Sequence, residues 1–259
     1  MIPELVNPES GPRIRVGNDV VDLEEPRSRG KSDSVAFLRR VFSESEAAWI
    51  AEGRDSNERD RRLWILWAGK ETAFKVVSKL LGAPPVFIHK AFVCEPAGGG
   101  AGWGRVLWQG HFVGLTLQDF GDRLHMMGWA SVDPPSDELV ARSRIRVLDE
   151  ARAGTQGPDP DREWKAFLDT HFSPREARPI HSVPSALVRL AARHDAAEAL
   201  GVDESRMELI CGEGPKGRTP PRLLLDGRPS PVDVSLSHHG RFIGWVLSPN
   251  DLDAGGEAR

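Results

Sequence analysis

The chain has 259 residues, which allows one large domain or two of about 100–150 residues each. A formal net charge of −4 argues against a general binder of polyanions, and a mean hydropathy of −0.37 argues against a helical membrane protein. No apolar run approaches the ~18–20 residues that a membrane-spanning helix needs.

Of the 34 basic residues, seven are Lys and 27 are Arg. Arg suits bidentate contacts to phosphate and carboxylate, although a genome-wide bias gives the same composition. Cys94 and Cys211 lack CxxC spacing, so neither a zinc site nor a disulfide framework is expected. The start, Met1 to Leu5, lacks the basic and apolar regions of a signal peptide. The expectation is a cytoplasmic protein.

In chain order, the first expected strand carries Ile14 and Val16 and runs into Gly17-Asn18-Asp19-Val20-Val21-Asp22-Leu23. A carboxylate at a strand end can bind a hard cation through oxygen, or it can cap the next element. A helical pattern follows over 60–81. On it, Trp64, Trp67, Glu71, Phe74 and Lys75 share one side, spaced by three and four. An acid among aromatics is costly unless paired or metal-bound; a Glu–Lys surface pair is the alternative. Apolar strands are expected at Ala91-Phe92-Val93 and Arg105 to Trp108, with a turn at Gln109-Gly110.

A polar stretch with Pro134-Pro135 and Gly154 to Pro160 leads to a second helical pattern over 185–200. The loop Gly214-Pro215-Lys216-Gly217-Arg218 places basic groups in a turn that can fold around a phosphate or stand in solvent. Strand alternation is clear from Val232 to Ser237. The strand ends in Ser235-Leu236-Ser237-His238-His239-Gly240, whose hydroxyls and imidazoles can hold phosphate or form a polar turn. His89, His111, His125, His171, His181 and His194 read as structural.

The chain also repeats itself. Arg105 and Gly110 follow Cys94 at the same spacing at which Arg222 and Gly227 follow Cys211. Gly128-Trp129 and Gly244-Trp245 close the two stretches, and Leu81-Gly82 and Leu200-Gly201 end the two helices. The expected fold is α+β, a pseudo-dimer of two similar halves at 13–133 and 140–249. Each half would be a long helix packed on a small antiparallel sheet. Residues 1–12 and 250–259 read as loose ends.

These motifs together resemble the 4′-phosphopantetheinyl transferase superfamily. The stretch 17–23 is similar to its G-x-D strand, and Arg40-Val41-Phe42-Ser43-Glu44-Ser45-Glu46 to its R-x-F-(S/T)-x-x-E helix start. Trp67 to Lys75 is similar to its W-x-x-K-E-(A/S)-x-x-K helix, and Ser235 to His238 to its S-x-S-H strand. The motif order is that of the small holo-acyl-carrier-protein synthases, whereas the length is that of the two-half, surfactin-type members. Each half keeps what the other lacks: the first has Asp19 and Glu71, and the second has Ser237-His238 but Arg189-Leu190 where Lys-Glu would stand.

The resemblance implies an enzyme that moves the 4′-phosphopantetheine of coenzyme A onto a serine of an acyl or peptidyl carrier protein. It would release 3′,5′-adenosine bisphosphate. Asp19 and Glu71 would hold Mg²⁺. Glu71 would act as base, directly or through a metal-bound water, and Lys75 would offset phosphoryl charge. Ser237 and His238 would hold phosphate oxygens from the opposite half, and Lys216 and Arg218 the 3′-phosphate. Arg27, Arg29, Lys31, Arg39 and Arg40 would meet an acidic carrier, or form a solvated surface. Neither nucleic acid nor membrane is implied as a partner, and fused halves imply a monomer. A non-catalytic relative that binds coenzyme A or a carrier is the alternative; a nuclease would carry Lys where Ala73 stands.

Overall fold

A computed structural model describes residues 14–97, 102–131, 142–148, 159–214 and 217–248. The proposed loose ends and Lys216 lie outside these residues. The mixed α+β class holds. Among the described residues, no helix is long and apolar enough to cross a membrane.

Strand β1 (Ile14–Asp22) opens the fold, followed by helices α1 (Val35–Val41), α2 (Glu44–Ala51) and α3 (Ser56–Leu80). The helices start where side chains can accept the first free N–H groups. Ser34, Ser43 and Asp55 cap α1, α2 and α3, and Ser43 forms a reciprocal capping box with Glu46. Four strands follow: β2 (Val93–Pro96), β3 (Gly104–Trp108), β4 (His111–Asp119) and β5 (Arg123–Ser131). They form an antiparallel sheet in the order β1-β5-β4-β3-β2. The expected turn at Gln109-Gly110 joins β3 to β4, with φ of 48° and 86°.

Strand β6 (Arg142–Val147) leads into helices α4 (Pro160–His171), α5 (Pro174–Ala177) and α6 (Val183–Leu200). Then come β7 (Met207–Ile210), β8 (Glu213–Gly214), β9 (Gly217–Arg218), β10 (Arg222–Leu225), β11 (Arg228–Pro229), β12 (Val234–His239) and β13 (Phe242–Leu247). Here the strands divide into the orders β12-β13-β6 and β11-β10-β7, with β8 and β9 as a separate hairpin.

Two main apolar cores result. One packs α3 against the first sheet through Leu63, Leu66, Val76, Phe92, Leu115 and Met126. The other packs α6 against β7, β10, β12 and β13 through Val188, Ala192, Leu209, Leu223 and Trp245. A smaller cluster of Val16, Met127 and Val246 lies between them.

Buried Lys70 ties the first core together. Its ammonium donates to both oxygens of Glu46 at 2.7 and 2.8 Å and to the carbonyls of His89 and Phe92. Glu46 Oε1 also accepts from the Cys94 N–H at 2.9 Å. One buried ion pair thus fixes α2, α3 and β2, and it explains why the Ser-x-x-Glu and Lys-Glu motifs occur together.

Candidate functional site

The site begins where α3 crosses β1. A Cβ on Gly17 would lie 2.4 Å from the Thr72 carbonyl oxygen and 2.8 Å from Val76 Cγ2. Only glycine allows this approach. It brings the α3 residues Glu71 and Lys75 beside Asp19. The sequence placed Asp19 at a strand end, but β1 continues to Asp22. The strand persists because Val20 and Val21 are both buried, one on each face of β1.

Lys75 Nζ lies 3.2 Å from Asp19 Oδ1 and donates to the Asn18 carbonyl at 2.6 Å and the Leu236 carbonyl at 3.4 Å. Its ion pair is therefore with Asp19, not a surface pair with Glu71. Ser237 crosses from the second sheet. It accepts from the Val20 N–H at 3.1 Å and donates its hydroxyl proton to Asp19 Oδ1 at 2.8 Å. A hydroxyl has one proton to give, so in this arrangement Ser237 orients Asp19. Both contacts fall on Oδ1, which leaves Oδ2 for another partner.

Asp19, Val20, Val21, Trp64, Trp67, Glu71, His238 and His239 line one cleft of about 240 Å³. The three groups read from distant parts of the sequence therefore share one space. The Glu71 carboxyl is pushed up to about 7, first by burial and then by the Asp19 carboxylate, against the opposing pull of Lys75. His238 stands at the mouth, and its pKa is lowered by desolvation, then by Lys75, Arg189 and His239. It is a neutral donor or acceptor near pH 7.

The tryptophans form the wall. Trp64 Nε1 donates to the Ser28 carbonyl at 2.6 Å. Trp67 stacks on Phe37 at 5.8 Å, and the Arg40 guanidinium lies 5.7 Å from the Phe37 ring centre. Arg27, Arg29, Arg39 and Arg40 are exposed, and Lys31 is half-buried. The side chain of Arg218 and all of Lys216 lie outside what is described.

The motifs assign no role to other residues at the site. Asp22 is buried, and its carboxylate accepts from the Arg241 N–H, Nε and Nη2 at 2.9–3.0 Å. Burial alone would raise its pKa; the Arg241 bonds prevail and hold it at about 2. Gly240 beside it has φ of +51°, and a Cβ there would meet Asp22 Oδ2 at 2.5 Å. Asp22 therefore anchors the β12–β13 turn. Lys79 and Asp233, which pair at 2.8 Å, also went unread. The polar period-two run Asp233, Ser235, Ser237, His239 in a buried strand was the signal that could have found them.

Among the described residues, no group of three or more His, Cys, Asp or Glu side chains stands ready to hold a metal. Asp19 and Glu71 still fit one hard cation. They are oxygen donors that line one cleft, and the Asp19 charge adds to burial in raising the Glu71 carboxyl. Magnesium needs few protein ligands when phosphates and water complete its shell.

Residues 15–102 match the family model of the 4′-phosphopantetheinyl transferase superfamily. The matched segment holds Asp19, Glu46, Lys70, Glu71 and Lys75, and it bears out the resemblance drawn from the motifs. No curated protein matches the chain. Phosphopantetheine transfer in general is the activity this superfamily suggests.

Proposed function

We propose that the protein transfers the 4′-phosphopantetheine of coenzyme A to a serine of an acyl or peptidyl carrier protein, with Mg²⁺, as a pseudo-dimer whose two halves build one site. The observation that carries the proposal is the single cleft shared by Asp19, Glu71 and His238.

Asp19 and Glu71 would hold Mg²⁺, which supplies positive charge at the pyrophosphate when bound. The chain's own residues do the rest. Glu71 accepts the proton of the carrier serine as its oxygen attacks the β-phosphorus of coenzyme A. With no metal bound, burial and the Asp19 charge raise this carboxyl to about 7, so it holds a proton more readily than an ordinary carboxylate. The P–O bond to the α-phosphate side breaks, and 3′,5′-adenosine bisphosphate leaves. Lys75 sits within 3.2 Å of Asp19 and offsets charge on the transferring oxygens. His238 donates to a phosphate oxygen from the second half, while Ser237 holds Asp19. Exposed Arg40, beside the Phe37 ring that stacks on Trp67, would meet an acidic carrier together with exposed Arg27, Arg29 and Arg39.

The two-half reading rests on topology. The order β6-β13-β12 repeats β1-β5-β4, and the β7–β10 pair repeats β2–β3. The repeat is incomplete, since β10 pairs with β11 where β3 pairs with β4.

Labelled coenzyme A, Mg²⁺ and an apo carrier test the proposal. Covalent label on the carrier serine is expected. Coenzyme A binding without transfer to fatty-acid, polyketide or peptide-synthesis carriers would overturn it in favour of a binding module.

A further inference from the structure

Strands β1 and β12 run side by side, yet no backbone ladder joins them. Four alternate N–H groups of β1 instead reach side chains of β12 and of Asp233 just before it. Val16 N–H donates to Asp233 Oδ2 at 2.8 Å, Asn18 N–H to Ser235 Oγ at 3.0 Å, Val20 N–H to Ser237 Oγ at 3.1 Å, and Asp22 N–H to His239 Nδ1 at 3.0 Å. Every pair is separated by 217 residues, so the strands are parallel and in constant register.

The carbonyls are bridged from α3. Lys79 Nζ donates to the Val16 carbonyl at 2.7 Å and to the Val234 carbonyl. Lys75, one helical turn earlier, repeats the pattern two residues further along each strand, at Asn18 and Leu236. The third partner differs: for Lys79 it is Asp233 at 2.8 Å, and for Lys75 it is Asp19. Lys79 and Asp233 are buried. An ammonium has three protons, and all three of Lys79's are used inside the protein.

We infer that Lys79 and Asp233 are positioning residues that fix the register of β1 against β12, and through it the Asp19–Ser237–Lys75 contact that assembles the site. The middle rungs cannot fix it. Ser235 and Ser237 are chemically alike, so a slip of two residues would still satisfy two N–H groups with hydroxyls. Such a slip would carry Ser237 about 6–7 Å from Asp19, at ~3.3 Å per residue. The unlike ends exclude it: the buried Asp233–Lys79 pair at one end, and His239 with Asp22 and Arg241 at the other. Setting register is the best-attested use of a buried ion pair.

The inference rests on the proposed transfer activity, so the test has an arm that does not. In Asp233→Ala, kcat is expected to fall about 10- to 100-fold with KM for coenzyme A within about threefold, the cost of misplacing reacting groups that still bind. Amide hydrogen exchange at Asn18 and Val20 should speed up with it. Asp233→Asn, which keeps an oxygen for Val16 N–H and Lys79, should recover most of the lost kcat. A lower melting temperature with unchanged kcat in the folded Asp233→Ala protein would overturn the inference, as would wild-type exchange at Asn18 and Val20. If the unaltered protein transfers nothing, the activity reading fails by itself, and the exchange arm alone judges the register.

Discussion

Two clefts lie between a strand and a long helix, and they differ in chemistry. The first, between β1 and α3, holds Asp19 and Glu71. The second, about 490 Å³, lies between β6 and α6 and holds Val147, Leu187, Leu190, Ile243 and His194. Val147 pairs with Phe242, three residues before Trp245, as Asp19 pairs with Met126, three before Trp129. Leu190 precedes Leu200-Gly201 by the interval at which Glu71 precedes Leu81-Gly82. At the positions of Asp19 and Glu71 the second cleft has Val147 and Leu190, while Glu204, Arg146 and two histidines line it elsewhere.

The scaffold around the two clefts is nevertheless shared. Ser43 and Glu46 form a capping box, and Glu46 accepts from Cys94 N–H and pairs with Lys70. Ser173 and Glu176 form another, and Glu176 accepts from Leu209 N–H and pairs with Arg193. The Ser-x-x-Glu device thus holds a helix start to a strand whether or not the neighbouring cleft is acidic. The motif separates into a structural part, present twice, and a chemical part, present once.

That contrast can be broken by exchange of single groups. Glu71→Gln keeps the volume and removes the charge and base, and should lower transfer by about 10³-fold or more with the fold intact; steady-state kinetics and far-UV dichroism check both. His238→Ala should weaken coenzyme A use by about 1.5–3 kcal/mol, the range for a hydrogen bond to a charged group, measured as kcat/KM. Leu190→Ala, in the second cleft, should leave transfer within about twofold, because it touches neither Asp19 nor Glu71. A large loss there would make the second cleft functional.

Glu71 and Asp22 respond to pH in opposite ways. Glu71 is raised to about 7 from an ordinary 4.5. Its neutral form therefore favours the metal-free fold at low pH, and that contribution is lost as pH rises through about 7. Mg²⁺ should raise the melting temperature more at pH 8 than at pH 6, and Glu71→Gln should remove that difference. Asp22 behaves in the opposite sense. Held at about 2, it stabilises above its ordinary range near 3.8, and that contribution fades as pH falls toward 2. Arg241→Ala should flatten this acid limb in a pH-dependent melting series.

Much of the first half was legible in the chain. The aromatic side of α3 announced a buried acid, and Ser43 with Glu46 announced a helix start. The helix itself begins at Ser56 rather than near Asp60, because Asp55 supplies the cap. The seam was not legible. Periodicity reports which face of a strand is buried, but not which edge meets which other edge 217 residues away. Ser237 was expected to hold phosphate, whereas its hydroxyl proton points to Asp19. Lys79 and Asp22 gave no sign of their burial, because their partners Asp233 and Arg241 are remote in sequence.

The central claim is that carboxylates from α3 and β1 and an imidazole from β12 act on one diphosphate. Calorimetric binding of coenzyme A with Mg²⁺ to the unaltered protein, Asp19→Asn, His238→Ala and the double variant tests it most directly. Each single change should weaken binding, and the double change should cost less than the sum of the two, since both groups grip the same pyrophosphate. Full additivity, or unchanged affinity on loss of either group, would contradict it.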